Sequence, residues 1–200
     1  MERPTTAPIP GYTYGSPSLP RSSVSLGELA LLKKTILFTD EDASALRMAN
    51  DVVKDQIEDI LDVWYGFVAS HPYLALYFSR RGTSELDADY LARVRARFGR
   101  WILDTTAAEY DEAWLDYQEE IGRRHTRPGK NETDGVDSVD HIPFRYLVGF
   151  VLPISATMEP FLSKRGHGPE DVRRMHSAWT KAVLLTAILW SRPYVRDGAF

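Results

Sequence analysis

A histidine at the end of an apolar helical stripe is the residue in this sequence best suited to binding a ligand. In the segment 114–129, WLDYQEEIGRRHTRPG, the side chains of Gln118, Ile121 and His125 fall within about 40° of Trp114 at ~100° per residue. A proline–glycine pair ends the helix directly afterwards. The helix dipole favours a protonated imidazole there, whereas a metal ion would keep the ring neutral. The spacing leaves two interpretations open: a metal ligand, or a half-exposed capping histidine among arginines.

The chain has four other histidines, and they are weaker candidates. His176 is the one rival ligand, because it falls within about 60° of the apolar positions Val172 and Trp179 on the last predicted helix. His71 precedes a proline and is expected to cap a helix end. His141 and His167 lie in predicted loops, where we expect solvent around them.

Aromatic residues make up 12% of the chain. Seven of them lie on or beside apolar stripes: Trp64, Phe67, Phe98, Trp101, Trp114, Phe150 and Trp179. Such stripes indicate a hydrophobic core more often than a cofactor pocket. Tyr65 differs because it lies at the edge of its stripe, where a phenol can donate its O–H into a cavity.

Other kinds of site are excluded or disfavoured by what the sequence lacks. There is no cysteine, which excludes disulfides, zinc on thiolates, iron–sulfur clusters and cysteine-ligated haem. The sequence contains no GxGxxG, Walker, HExxH or GxSxG motif. Any metal or cofactor must therefore be bound through nitrogen or oxygen atoms.

Charge and hydropathy set the broad class of the protein. The formal net charge of −4 gives no reason to expect nucleic acid as a partner, and the basic run at 93–100 is short and interrupted by apolar residues. No apolar run approaches the ~20 residues of a membrane span, and the first residues lack the hydrophobic core of a signal peptide. We therefore expect a cytoplasmic protein that contacts neither membrane nor nucleic acid.

The apolar periodicity predicts an all-α chain with roughly seven or eight helices. Residues 1–200 form one predicted domain, with an irregular arm at 1–24, which Ile9, Tyr12 and Tyr14 can attach to the body, and a helical body at 25–200. The predicted helices begin at Ser25, Thr39, 73, Asp87, 109, Pro143 and 168. The helix that begins at Thr39 is expected to break near 50–51. The helix that begins at Pro143 is expected to kink at Pro153 and to end at Gly166. A polar loop is predicted at 128–140.

Several of these segments together resemble the protoglobins, single-domain haem proteins related to the sensor domains of globin-coupled sensors. The similar segments cover nearly the whole chain: IPGYTYG (9–15), LLKKTILFT (31–39), VWYGFVASHP (63–72), YLARVRARFGRWILDTT (90–106), WLDYQEEIGRRH (114–125), IPFRYLVGFVLPISATMEPFL (142–162), Trp179 and WSRPYVRDGAF (190–200). The resemblance implies a globin-like fold with an additional N-terminal helix and an arm that wraps the haem edge.

The resemblance also implies roles for particular residues. His125 matches the proximal histidine, the axial ligand of the haem iron. Trp64 and Tyr65 match the distal pair facing the open coordination position, and Phe98 matches a further distal aromatic residue. Leu147, Phe150 and Ile154 match cofactor contacts on the long kinked helix, the last two of them on the proximal side. Arg97 matches an arginine near the haem propionates, although Arg95 lies closer to the apolar face on a helical wheel.

By the same resemblance, the chain is expected to be a haem b protein that binds O₂, CO or NO reversibly at a five-coordinate iron. Catalysis at that iron, such as detoxification of NO or peroxide or promiscuous carbene transfer, is one alternative, and signalling through a separate partner is another. A homodimer is implied through the last two helices, in keeping with the two-sided apolar character of 182–190. One departure is Thr126, where the family often has a second histidine.

Overall fold

A computed structural model describes residues 8–196 and 198–200 of the chain, so residues 1–7 of the predicted arm lie outside the described part. The described residues form nine α-helices and no β-strand, which confirms the predicted all-α class. The helices are α1 (Leu26–Thr35), α2 (Asp40–Val53), α3 (Ile57–Ala69), α4 (Pro72–Ala75), α5 (Ala88–Ala107), α6 (Glu112–Arg123), α7 (Phe144–Gly149), α8 (Val151–Leu162) and α9 (Pro169–Trp190).

The helices begin where short polar side chains can cap their free N–H groups. Ser25 with Glu28 forms a capping box at α1, and Thr39 with Asp42 forms one at α2. Asp87 begins α5 in the same way, by accepting a hydrogen bond from the Tyr90 backbone N–H at 2.9 Å. The helix starts predicted at Ser25, Thr39 and Asp87 are therefore confirmed.

The break in the long helical segment lies between Val53 and Ile57, not near residues 50–51. Asn50 does not interrupt the helix because its side chain forms hydrogen bonds with α5 and does not compete for the backbone of α2. Its amide donates to the Leu103 carbonyl at 3.1 Å and to the Thr106 hydroxyl at 2.7 Å. Asn50 thus links α2 to α5, and α2 ends about one helical turn after it, at Val53.

Helices α7 and α8 form one kinked helix, as predicted, but the interruption lies at Phe150 rather than at Pro153. Pro153 has no N–H for the Gly149 carbonyl, and its ring crowds that same carbonyl, so the kink falls one turn before the proline. The whole kinked helix from Phe144 to Arg165 is long and apolar enough to cross a membrane. The sequence analysis did not identify it as such a segment. The core helices of soluble proteins meet the same criterion. Only 28% of its most apolar window is buried, so the helix presents an apolar face outward.

Helix α9 lies at the centre of the molecule, against α2, α6 and α8. This packing buries most of the apolar residues at 182–190. Val183, Leu185 and Leu189 are all buried, and of the leucines in this segment only Leu184 is markedly exposed. The apolar character of α9 on two sides therefore reflects burial within the chain and is not evidence for an interface.

The N-terminal arm is irregular, as predicted, and is attached to the helical body by aromatic and charged contacts. Tyr12 donates its hydroxyl to Asp104 at 2.7 Å, and its ring and that of Tyr14 meet the Tyr117 ring edge-on at 5.3 and 5.6 Å. Arginine Nη1 atoms donate to two successive carbonyls of the arm, from Arg97 to Pro10 at 2.8 Å and from Arg124 to Gly11 at 2.6 Å.

Replacing Gly11 by alanine should release the arm. Gly11 has φ +74°, and a Cβ there would lie 2.7 Å from both Arg97 Nη1 and Thr133 Cγ2. Gly15 is a matched control, because it has φ +73° and a Cβ there would meet nothing within 4 Å. Both variants carry the strain of a left-handed alanine, roughly 1–2 kcal/mol, but only Gly11→Ala should speed amide hydrogen exchange and proteolysis across residues 9–14. Equal effects of the two substitutions would contradict this account of the arm.

Candidate ligand cavity

A cavity of about 210 Å³ lies between the helices. One water molecule needs roughly 10–15 Å³ on this measure, so the space suits a ligand rather than a few solvent molecules. Its walls include every residue that the sequence analysis assigned to cofactor binding: Trp64, Tyr65, Arg97, Phe98, His125, Leu147, Phe150 and Ile154. Residues far apart in the sequence therefore meet at one place.

His125 lies two residues beyond the last residue of α6 and lines this cavity. Its Nδ1 is 2.7 Å from the Ile121 carbonyl. Because a carbonyl only accepts, Nδ1 carries the proton and Nε2 keeps its lone pair. Nε2 has no hydrogen-bond partner among the described residues. Burial lowers the pKa of His125 to about 4, so the ring is neutral at pH 7 and can act as a metal ligand.

Trp190 supports the imidazole from α9, with ring centroids 5.0 Å apart and planes inclined by 25°. The close approach of α6 and α9 depends on Gly122, where a Cβ would lie 3.1 Å from the Trp190 Cα. The neighbouring Thr126 turns its hydroxyl to the Arg123 carbonyl at 2.8 Å. Thr126 therefore caps the end of α6 and does not take part in orienting the His125 ring.

His176, the rival candidate for a metal ligand, does not line the cavity. His176 donates from Nε2 to the Ser155 carbonyl at 3.0 Å and is absent from the cavity wall, so its ring links α9 to α8. The Nδ1 of His71 reaches the Phe67 carbonyl at 2.8 Å, which gives it the helix-end role predicted for it. Of the five histidines, all within the described residues, His125 alone lines the cavity.

A continuous row of aromatic rings connects His125 with Tyr65. From Trp190 the row continues through Trp101 at 5.6 Å and Phe98 at 5.2 Å, and Tyr65 meets Phe98 edge-on at 6.4 Å. Burial raises the pKa of Tyr65, so its hydroxyl stays protonated. The hydroxyl has no partner within the described part of the chain. It is available to donate to a ligand at a position away from the imidazole.

Phe150 and Ile154, which the resemblance assigns to the proximal side, line the cavity and pack with the aromatic residues around Trp64 and Tyr65. The Phe150 ring meets Trp64 edge-on at 5.3 Å, and both residues pack against the small cluster of Trp64, Val68 and Leu74. Helix α8, which begins directly after the kink at Phe150, packs against α3.

Of the two candidate arginines, Arg97 is on the cavity wall and Arg95 is not. Arg97 lines the cavity and is bound to the buried carboxylate of Asp134, with Nη1 to Oδ1 at 3.0 Å. Arg95 instead forms ion pairs with Glu58 and Asp62, both at 2.8 Å, and does not line the cavity. On a helical wheel Arg97 lies away from the apolar stripe of its helix. Its long side chain nevertheless reaches the cavity, where it binds Asp134, a residue of the loop that follows α6.

Tyr90, Lys130 and Trp190 are among the wall residues that the sequence analysis missed. Trp190 carried a usable signal, because it continues the stripe of Val183 and Ala187 on α9, all of which line the cavity. Lys130 lies in the polar loop at 128–140 and had no periodic signal.

Comparison with known proteins places this arrangement in a family. A family model described as protoglobin matches residues 26–199. Among solved structures, the globin domain of a Geobacter sulfurreducens globin-coupled sensor superposes with a TM-score of 0.64 at 19% sequence identity, covering 84% of this chain and 97% of that domain. No curated protein matches the sequence significantly. At this level of identity the structural match shows a common fold.

Proposed function

Because the chain belongs to the protoglobin family, we propose that it is a haem b protein that binds diatomic gases reversibly, with His125 as the axial ligand of a five-coordinate iron. The family and the fold support the general role of a globin that binds gases through haem. The observation that carries the more specific proposal is the unpartnered Nε2 of a neutral imidazole at the wall of an aromatic cavity.

The donor set fits a metal held in a macrocycle better than a bare ion. Among the described residues no group of three or more histidine and carboxylate side chains could hold a metal ion, and one imidazole alone binds such an ion weakly. The cavity wall is mostly aromatic and aliphatic, with the cations Arg97, Arg124 and Lys130 as well. An apolar plate with two carboxylates, which is the shape of haem b, matches this combination of surfaces.

When bound, haem iron supplies an open coordination position for a small gas, and the protein supplies the surroundings of that position. The Tyr65 hydroxyl donates a hydrogen bond to a polar diatomic ligand such as O₂. Trp64 and Phe98, whose rings lie 5.9 Å apart, restrict the space beside Tyr65. Leu147, Phe150 and Ile154 exclude water, and Arg97 is placed to bind a propionate.

The composition of the cavity favours gas binding over the enzymatic alternatives. Detoxification of peroxide is aided by a second imidazole that moves protons, and His125 is the one histidine on the described wall. Tyr65 is held protonated and serves as a donor rather than a base. Catalysis at the iron is therefore second to reversible gas binding, and signalling through a separate partner stays a prediction from the resemblance. Cytoplasmic localisation stays a prediction from the sequence.

A second copy of the chain is the proposed partner of the outward face of α7 and α8. Val148 is 52% exposed and Leu152 is 76% exposed, and Phe144 near the start of the same kinked helix is 38% exposed. A contiguous apolar surface of this kind is typical of an interface. A homodimer through the last two helices, which the resemblance implies, would cover it.

His125→Ala should abolish the absorption spectrum of histidine-ligated haem, both in the ferrous protein and in its CO complex. Added imidazole should restore that spectrum, because it can occupy the space left by the side chain. His176→Ala is the matched control and should leave the spectrum unchanged, since that ring bonds to Ser155 outside the cavity. A normal spectrum in the His125 variant would refute the assignment.

Tyr65→Phe should speed O₂ release by about twofold to tenfold, the value of one neutral hydrogen bond. Release of CO should change less, because CO is a weaker hydrogen-bond acceptor. Flash photolysis and stopped-flow mixing measure both rates. Tyr110→Phe is the control, because Tyr110 is a buried tyrosine outside the cavity wall. A Tyr65 variant with unchanged O₂ release would remove the hydroxyl from the proposal.

Leu152→Glu should convert the dimer into monomers. Two-fold symmetry introduces the change twice, so the loss of apolar burial alone is roughly 3–6 kcal/mol per dimer. Leu31→Glu is the control, since Leu31 is 63% exposed on α1. Sedimentation velocity at several concentrations distinguishes the two species. If the wild-type chain sediments as a monomer, the partner proposal is wrong.

A further inference from the structure

Lys130 is an unusual lysine because it is almost fully enclosed at the cavity wall, with 5% of its surface exposed. Its Nζ donates to the Tyr90 hydroxyl at 2.7 Å and to the Tyr77 carbonyl at 3.0 Å. An ammonium group has three N–H donors, so one remains unused. A buried cation of this kind is strongly unfavourable unless an anion compensates its charge.

The carboxylates near Lys130 are already bound to other cations. Asp134, four residues further along the same loop, has a side chain that is 4% exposed and forms ion pairs with Arg93 and Arg97. Asp140 lies 3.6 Å from both Arg81 and Arg127. No carboxylate within the described residues forms an ion pair with Lys130. In agreement, burial lowers the pKa of Lys130 to about 8.

Tyr90 supplies a second unused donor at the same place. Its side chain is 3% exposed and also lines the cavity. The hydroxyl oxygen accepts the hydrogen bond from Lys130, and its own proton has no acceptor among the described residues. Two donors, one of them charged, thus meet at the cavity without an acceptor from the protein.

We propose that Lys130 and Tyr90 form a carboxylate subsite that binds one propionate of the haem. This inference rests on the proposed function, because the cavity must hold a ligand that carries a carboxylate. The charge of Arg97 is largely compensated by Asp134, whereas that of Lys130 is not. Lys130 is therefore the stronger anchor, although the resemblance implied only Arg97.

Haem and its dimethyl ester together test the subsite, because the ester has the same ring and iron but no free carboxylate. Lys130→Met should speed haem release to an excess of a haem-scavenging protein about tenfold to a hundredfold, the expected effect of losing a charged hydrogen bond. Release of the dimethyl ester should stay at the wild-type rate. Tyr90→Phe, which removes one oxygen and keeps the lysine, should give a smaller effect in the same direction.

Stability of the haem-free protein gives a readout independent of the cofactor. Lys130→Met removes an uncompensated buried charge and should raise the melting temperature of the apoprotein while it weakens haem retention. Lys54→Met, at a surface lysine paired with Asp51, is the control and should alter neither quantity.

Two outcomes would overturn the subsite. Equal acceleration of haem and ester release by Lys130→Met would assign the lysine a structural role, and unchanged haem release would show that no propionate binds there. Both results differ from failure of the proposed function, in which the wild-type chain itself would show no histidine-ligated haem spectrum.

Discussion

The hydrogen bond from Nδ1 of His125 to the Ile121 carbonyl, at 2.7 Å, is the interaction on which the proposed site depends. It joins the ring to a carbonyl that the end of α6 leaves without a helical partner. It also selects the tautomer whose lone pair lies on Nε2. In globins and other histidine-ligated metalloproteins the second ring nitrogen is commonly fixed in this way. The helix end thus orients the ring before any cofactor binds.

Much of the fold and of the apolar wall could be predicted because it follows helical periodicity. His125 continues the stripe of Ile121, and Tyr65 lies at the edge of the stripe of Trp64, so one rule places both near the interior. Periodicity could not decide between a cap and a ligand for His125. The structure shows that the cap does not preclude metal binding, since Nδ1 caps the helix while Nε2 has no partner among the described residues.

The errors have a common physical origin in contacts between distant segments. Asn50 suggested a break because asparagine disfavours helix interiors, but its amide is bound by α5. Residues 182–190 are apolar on two sides because they pack against α2, α6 and α8, so this pattern carries no information about the proposed homodimer. Lys130 belongs to a loop without periodicity, so its burial depends on Tyr77 and Tyr90 and could not be derived from its own neighbours.

The arm and the cavity share arginines, and the geometry of Arg97 shows that the two uses are compatible. Three of its five N–H groups are engaged, by Asp134 and by the Pro10 carbonyl. Two donors therefore remain for a carboxylate in the cavity. The arm and Asp134 hold the guanidinium in one orientation in advance, which lowers the entropy cost of binding. An attached arm should consequently favour ligand retention through Arg97 even without touching the ligand, because it fixes the direction of the donors that the ligand meets.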